Sequence, residues 1–388
     1  MKAGTPGFIG SRLKEARDAR GISAVSLAEV LGVSRAAVSQ YESGSQSPRP
    51  EVMGKICGTL NLPAAFFLRP SREEGSGAIF YRSLRSTSKQ ARTRVECRMR
   101  WMYEIVDAVR EHVEMPKPQF PEFAVPRDPS RLAQEDVEQI AITARKFWHL
   151  DDGPLGSIVN LLENNGAFIS RDDFLVDEVD ALSRWRNNEG APYFLLNERK
   201  QSAARSRMDL CHEIGHVFLH RHLSQDDLAI PSIHKMVEDQ AFRFAGAFAL
   251  PAEAFTAELE AGSLSLDFFQ QLKPTWKVSI GMMIKRTQDL GLLTEDQVQR
   301  LWIKRTRNGW HLREPLDDEL PIETPRLLPK AIHMLLDNKL VSRQKFLSTC
   351  PFSPSDIEVL GNLERGYLAD PEASPKILTF PRKAEGSN

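Results

Sequence analysis

The segment DLCHEIGHVFLHRH, residues Asp209 to His222, holds four histidines and one glutamate in fourteen positions. His212 and His216 are four residues apart, so on an α-helix they project from the same face, with Glu213 beside them. Two imidazoles in this arrangement can bind one Zn²⁺, and a neighbouring glutamate can accept a proton from the water that attacks a peptide carbonyl. The segment therefore predicts a helix that carries the zinc site of a peptidase.

Zinc peptidases usually supply a third protein ligand and leave the fourth position for water, and three residues downstream are candidates for it. His222 follows His216 by six residues. That is the spacing of a known zinc pattern, which needs a glycine where Leu219 stands. His220 follows His216 by four residues and extends the same helical face, although a histidine near a helix end also interacts well with the terminal carbonyls.

The third candidate is Glu238, which lies 22 residues beyond His216 in the segment MVEDQAFRFAGAFALPAEAF. Apolar residues recur there at helical spacing and predict a second helix; they are Ala241, Phe244, Ala245 and Phe248. A carboxylate on a neighbouring helix would complete a set of two histidines and one glutamate. Asp239 points about 100° away around the same helix, so we interpret it as a supporting or solvent-facing carboxylate.

The first seventy residues show the pattern of short helices joined by tight turns. Gly21 and Gly32 stand where a positive φ angle ends a helix, and Ser34 is placed to cap a helix from Arg35 to about Glu42. The expected buried positions of the two preceding helices are Ile9, Leu13, Ala16, Leu27, Ala28 and Leu31. This arrangement is a helix, a turn and a helix.

The helix that begins at Arg35 has a polar face suited to double-stranded DNA. The side chains expected to point outward are Arg35, Ala36, Ser39 and Gln40. Gln40 can read adenine, and Arg35 can contact guanine or a phosphate. We therefore predict that these four residues contact DNA.

An excess of basic residues is concentrated in the N-terminal third of the chain, which could therefore face a polyanion. The whole chain has a net charge of -1, but residues 1 to 70 carry nine Lys or Arg against five Asp or Glu, a net of +4. Between Arg82 and Arg100 there are seven basic side chains and one acid, Glu96. Solvated helix faces would produce the same excess, so charge alone does not decide between the two interpretations.

Composition places the chain among ordinary globular proteins. Its 388 residues suggest two or three domains, and 41% hydrophobic with 27% charged residues is typical of that class. No apolar run approaches the length of a membrane span, and the N-terminus lacks the apolar stretch of a secretory signal. Four widely spaced cysteines predict reduced thiols; they are Cys57, Cys97, Cys211 and Cys350. We expect a cytoplasmic protein without a membrane partner.

Two further stretches lack a catalytic motif. A long helix is expected from about Ser88 to Val113, followed by the proline-rich MPKPQFPEFAVP; its basic face either follows DNA phosphates or is solvated. From Asp317 onward short helical patterns alternate with prolines, and the last dozen residues have the composition of a disordered tail.

LAEVLGVSRAAVSQYESG resembles the XRE family of phage-repressor-like helix-turn-helix domains, and the resemblance extends over residues 8 to 68. The positions that match the family pattern are Gly32, Val33, Ser34, Val38, Ser39, Glu42 and Gly44. Ala24 stands where family members usually carry a glutamine that holds a phosphate, which implies modest DNA affinity. Such domains usually bind two half-sites as dimers, so the resemblance implies a homodimer on operator DNA.

RMDLCHEIGHVFLH followed by EDQAFRFAGAFALP is similar to the ImmA/IrrE family of metallopeptidases, with similarity over residues 130 to 316. In that family the glutamate that opens the second motif is the third zinc ligand, which implies this role for Glu238. Phe242 replaces a usual polar residue, and Cys211, where a small residue is common, is expected to be buried. His234, in an expected loop between the motifs, is interpreted as a surface histidine, with stabilisation of an oxyanion as the alternative.

Together these features predict a mainly α protein with a small β-sheet, of the α+β class. The expected parts are a helix-turn-helix domain (1–70), a helical connector (71–127), a zinc metallopeptidase domain (128–260), its helical extension (261–316) and a C-terminal helical region with a disordered tail (317–388).

The resemblances imply a DNA-binding regulator with a zinc endopeptidase domain. Zn²⁺ would be held by His212, His216 and Glu238, with Glu213 as the general base. The implied substrate is a repressor or antitoxin-like protein, or the chain itself, in a stress or mobile-element response. The alternative is a repressor or antitoxin whose peptidase-like domain is a non-proteolytic sensor or dimerisation module, although a purely structural ion has no need for Glu213. A third hypothesis is a protease activated by DNA.

Overall fold

The computed structural model describes residues 4–71, 80–81, 88–176, 179–199 and 202–369. Within these ranges the protein is mainly helical with one small sheet, so the predicted α+β class is confirmed. None of the described helices is both long and apolar enough to cross a membrane.

The N-terminal head consists of five helices: α1 Gly10–Ala19, α2 Ala24–Leu31, α3 Arg35–Glu42, α4 Pro50–Leu60 and α5 Ala64–Phe67. Ser23 and Ser34 begin α2 and α3 by accepting hydrogen bonds from backbone N–H groups of the first turn. Gly32, with φ 69°, ends α2 in the left-handed region that glycine adopts without strain. The predicted helix, turn and helix are therefore present.

The connector contributes a two-residue strand, β1 Phe80–Tyr81, and a long helix, α6 Lys89–Arg110. The helix was predicted, and Ser88 caps its start, but the strand was not. The expectation that the basic face of this region follows DNA phosphates or is solvated is wrong for Arg98. Its side chain is buried and lies 2.6 Å from Asp172 and 2.5 Å from Asp356. Arg82 and Arg85 lie outside the described residues.

A four-stranded sheet is the centre of the next part of the chain. After a 3-10 helix at Pro129–Arg131, its elements are α7 Gln134–Phe147, α8 Ile158–Asn164, β2 Phe168–Asp172, β3 Ala181–Arg186, β4 Ala191–Asn197, α9 Ala203–Leu219, α10 Gln225–Ala229, α11 Pro231–Ala249 and α12 Ala252–Glu260. The strand order is β1-β3-β4-β2. β2 runs parallel to β4, whereas β3 runs antiparallel to β4 and β1 antiparallel to β3.

Three further helices follow: α13 Leu266–Trp276, α14 Ile280–Asp289 and α15 Glu295–Arg307. Lys273 of α13 is fully buried, where its ammonium lies 3.2 Å from a carboxylate oxygen of Glu314 and 2.7 Å from one of Asp317. These ion pairs attach the chain after α15 to the helical extension.

The C-terminal helices pack against the head. They are α16 Leu327–Asp337, α17 Arg343–Thr349 and α18 Pro354–Leu360. Phe352 lies in an aromatic cluster, with its ring centroid 5.5 Å from that of Phe66 and 5.2 Å from that of Trp101. The head, α6 and the C-terminal helices consequently share one hydrophobic core, a contact between distant segments that the sequence did not predict. The expected disordered tail lies outside the described residues from 370 onward.

Candidate metal centre

Helix α9 carries the HEIGH motif and is almost wholly buried between the sheet and α11. Gly215 explains how close α11 can come. A Cβ atom built on Gly215 would lie 3.2 Å from the backbone Cα of Ala241, tighter than ordinary packing allows. The glycine within the motif therefore lets the backbone of α11 approach α9 and brings Glu238 beside the two histidines.

Three donor atoms from His212, His216 and Glu238 meet in this space. The two Nε2 atoms are 3.0 Å apart. A carboxylate oxygen of Glu238 lies 3.2 Å from Nε2 of His212, and the other lies 3.3 Å from Nε2 of His216. A tetrahedral ion with bonds of about 2.0 to 2.1 Å separates its ligand atoms by roughly 3.3 Å. The donor set therefore fits Zn²⁺ in chemistry and in spacing.

The surroundings of Glu238 keep its carboxyl group ionised. Burial by itself raises the pKa of a carboxyl group, but hydrogen bonds and positive charge from His212 and His216 outweigh it. The pKa of Glu238 is consequently held far below its usual value. An anionic carboxylate opposite two imidazoles is the form that binds a metal ion.

Glu213 is fully buried beside the three donors. Ser183 of β3 donates a hydrogen bond to its Oε2, whereas Oε1 has no hydrogen-bond partner among the described residues. Burial raises the pKa of Glu213 to about 7, against the lowering influence of His216 and Ser183. One oxygen is thus fixed by the sheet while the other remains able to accept a proton.

His220 supports His216 from behind, a role that the sequence interpretation missed. The sequence favoured a helix-end side chain, and His220 is the C-cap residue of α9. Its ring, however, is buried, and its Nδ1 lies 3.1 Å from Nδ1 of His216. Its Nε2 lies 3.0 Å from Oε1 of Gln240, whose Nε2 donates to the carbonyl of Pro129. Burial, and secondarily the charge of His216, lowers the pKa of His220 well below its usual value. The four-residue spacing from His216 was the available signal.

The other candidate ligands of the sequence stand apart from the three donors. His222 is exposed, with its Nε2 3.3 Å from the carbonyl of Arg127. Asp239 is exposed and pairs with Lys235 at 2.5 Å, as its predicted orientation required. Cys211, which was expected to be buried, is fully buried, and burial raises the pKa of its thiol to about 12.

His234 lies in the first turn of α11, so the expected loop between the motifs is wrong at this position. Its Nε2 is 4.0 Å from Oε1 of Glu238, and its side chain is only 16% exposed. The histidine therefore faces the candidate metal centre instead of lying on the open surface.

An open cavity of about 740 Å³ lies next to the centre. Phe242 forms part of its wall and also packs on His212, with ring centroids 4.3 Å apart. Met208 and Asp209 of α9 line the same space. The cavity thus borders the centre through Phe242, while its described lining includes neither the three donor residues nor Glu213.

The predicted DNA-contacting residues are all exposed in the structure; they are Arg35, Ala36, Ser39 and Gln40. Val38 and Tyr41, on the other face of α3, are buried in the head. The structure thus presents α3 outward, in the orientation that its amphipathic pattern predicted.

The head and the HEIGH-containing domain define a two-part protein, and comparisons identify both parts. The family described as helix-turn-helix matches residues 13–67. The family described as IrrE N-terminal-like domain matches residues 163–288, a range that contains every member of the candidate metal centre. The chain therefore joins an XRE-type helix-turn-helix domain to an ImmA/IrrE-like domain of the metallopeptidase type, as the resemblances implied.

One curated relative is the HTH-type transcriptional regulator SutR of Escherichia coli (strain K12). It is 40% identical to this chain over 63 residues, which is 16% of this chain and 35% of that protein. The chain thus spans about a third of the length of the regulator it matches.

Proposed function

We propose that this protein is a cytoplasmic DNA-binding regulator with a zinc-dependent endopeptidase domain. The observation that carries the proposal is the meeting of three donor atoms at tetrahedral spacing beside a buried glutamate. A purely structural metal site requires the three donor residues but does not require a general base such as Glu213. The substrate class we propose is a repressor or antitoxin-like protein, or the chain itself, cleaved in a stress or mobile-element response.

His212, His216 and Glu238 would hold the ion. A bound Zn²⁺ supplies Lewis acidity toward a peptide carbonyl. Glu213 accepts the proton of the attacking water through Oε1 and passes it to the leaving amine, while Ser183 keeps its other oxygen in place.

Two histidines have supporting roles in this proposal. His220 fixes the ring orientation of His216 through its contact with Nδ1. His234 donates a hydrogen bond to the oxyanion that forms during attack, because its side chain faces the centre from α11. This assignment replaces the surface histidine that the sequence favoured.

The head supplies the DNA-binding part of the proposal. Helix α3 enters the major groove of an operator and brings four residues to the DNA: Arg35, Ala36, Ser39 and Gln40. Two copies of the chain bind two half-sites as a homodimer. The net positive charge of residues 1 to 70 adds attraction to the phosphates.

The test compares the wild-type chain with the Glu213→Gln variant, which keeps the shape of the side chain. Both proteins are analysed for zinc and incubated with any repressor-like protein encoded beside the gene and with a random peptide library, and products are read by mass spectrometry. We expect equal zinc content and cleavage by the wild type alone. Cleavage by the zinc-loaded variant would refute the role of Glu213 as the general base.

The same experiment separates the alternative of a non-proteolytic sensor or dimerisation module. Binding of operator DNA by a zinc-loaded wild type that cleaves neither the repressor nor any library peptide would favour that alternative. Cleavage only after DNA fragments are added would instead identify a DNA-activated protease.

A further inference from the structure

The connector places a strand of its own against the candidate metal centre. β1 lies antiparallel along β3, so that Phe80 pairs with Ser183 and Tyr81 with Leu182. Ser183 is the residue that donates a hydrogen bond to Glu213. The backbone of Phe80 is therefore opposite the strand position that holds the proposed general base.

The side chain of Phe80 fills an apolar pocket next to a proposed ligand. Its ring is stacked on that of His216, with centroids 4.7 Å apart and an angle of 11° between the planes, and it is only 4% exposed. The pocket is formed by Leu223, Leu228, Ile233 and Val237. This cluster is separate from the two larger hydrophobic cores, so the burial of Phe80 belongs to the site and not to the general packing of either domain.

An extended segment that adds a strand to a sheet edge and inserts a side chain into a pocket is a general mode of peptide recognition. The main chain supplies affinity and the pocket supplies specificity. Both elements are present where β1 meets β3. Since β3 has β4 on its other side, β1 occupies the edge at which another peptide could pair.

We propose that the edge of β3 and the pocket of Leu223, Leu228, Ile233 and Val237 form the substrate-binding groove, and that Phe80 occupies the groove in the intact chain. The pocket selects peptides with a large apolar side chain at the residue that pairs with Ser183. This inference rests on the proposed function, because it concerns the substrate of the same site. It adds a specificity pocket and a built-in competitor to that function.

The competitor is strong because it is part of the same molecule. A tethered segment acts at an effective concentration on the order of millimolar. A free peptide of similar intrinsic affinity must reach that concentration before it displaces Phe80. Removal of the Phe80 ring therefore opens the groove to free peptides.

The experiment measures peptide binding in the Glu213→Gln background, so that no cleavage enters the readout. The probe is the fluorescein-labelled peptide SGAIFYRSL, the sequence of residues 76–84, followed by fluorescence anisotropy. Three companion peptides replace its phenylalanine with leucine, alanine or glutamate. We expect the E213Q/F80A protein to bind the parent peptide at least about tenfold more tightly than E213Q, because the tethered competitor is lost. Affinity should fall in the order phenylalanine, leucine, alanine, glutamate.

Two matched variants keep the test decisive. Phe147→Ala removes an aromatic ring that is 45% exposed on α7, and it should leave peptide binding unchanged. Phe80→Leu retains an apolar side chain for the pocket and should give an intermediate affinity. Thermal unfolding and zinc content, measured on every variant, show that the fold and the metal centre are retained.

Equal peptide affinity with and without Phe80, or affinity that ignores the varied peptide residue, would overturn the inference. The outcome is independent of peptidase activity. A chain that cleaves nothing even as the Phe80→Ala variant with Glu213 intact, but binds the peptides in the expected order, would refute the proposed function and leave the groove in place. A chain that cleaves library peptides, but whose peptide affinity does not depend on Phe80, would support the proposed function and refute the proposed groove.

Discussion

Asp356 is the carboxylate at which the head, α6 and the C-terminal helices meet, and its neutralisation should loosen that junction. Its two oxygens accept hydrogen bonds from Arg20 of the head at 2.7 and 2.5 Å and from Arg98 of α6 at 2.5 Å. Ser353 donates a further bond at 2.6 Å. The Asp356 and Arg98 side chains are each 5% exposed, and Arg98 also pairs with Asp172 of β2.

Asp356→Asn should lower the free energy of unfolding by about 3 kcal/mol, because breaking a buried ion pair leaves an uncompensated charge that costs about 3 to 5 kcal/mol. The remaining partner of Arg98, Asp172, keeps the loss at the lower end. Urea unfolding followed by tryptophan fluorescence measures it, since Trp101 lies in the same core. Asp318→Asn is the matched control: its pair with Arg313 is exposed and should contribute less than about 1 kcal/mol. A loss below about 1 kcal/mol for Asp356→Asn would refute the reasoning.

The same residue predicts a pH dependence. Burial raises the pKa of Asp356, but the hydrogen bond from Arg20 and the charges of Arg98 and Arg20 outweigh it and hold the pKa below its usual value. A carboxyl group with a depressed pKa stabilises the fold fully above its unfolded pKa of about 3.9 and loses this effect as the pH falls through the folded pKa. The stability difference between wild type and Asp356→Asn should therefore be constant near neutral pH and shrink below about pH 4.

Three further changes have expected outcomes. Gly215→Val should destabilise the protein by about 1 to 3 kcal/mol in urea unfolding, because its side chain meets the backbone of Ala241; unchanged stability would contradict the close approach of α11. His220→Ala should weaken zinc binding by about 10 to 100-fold in competition with a chelator, because His216 loses its support, and an unchanged affinity would refute that role. Arg35→Ala should remove about one phosphate contact, so the slope of the logarithm of the DNA-binding constant against the logarithm of the salt concentration should become shallower by about one. An unchanged slope would place Arg35 away from the phosphate backbone.

The local features of this protein could be predicted from sequence because neighbouring residues determine them. Ser34 and Gly32 mark the ends of two helices through capping and a positive φ angle, and both act as expected. The spacing of His212, Glu213 and His216 places them on one helix in the same way. The role of Glu238 could be predicted only from the resemblance of the second motif, because the approach of α11 to α9 depends on packing at Gly215.

The features that were missed depend on contacts between distant segments. β1 is two residues long, too short for a periodic pattern, and it exists because the edge of β3 and an apolar pocket receive Phe80. The burial of Arg98 depends on Asp172 and Asp356, which lie 74 and 258 residues away along the chain. The position of His234 was misjudged because helix α11 begins earlier, at Pro231, than its apolar repeat indicated.

The most direct test of the metal centre is a crystal structure of the purified protein with anomalous diffraction recorded at the zinc absorption edge. We expect one strong peak per chain, about 2.0 to 2.2 Å from Nε2 of His212, Nε2 of His216 and a carboxylate oxygen of Glu238. A well-ordered centre with no peak after growth in zinc, or a peak bound by other residues, would contradict it.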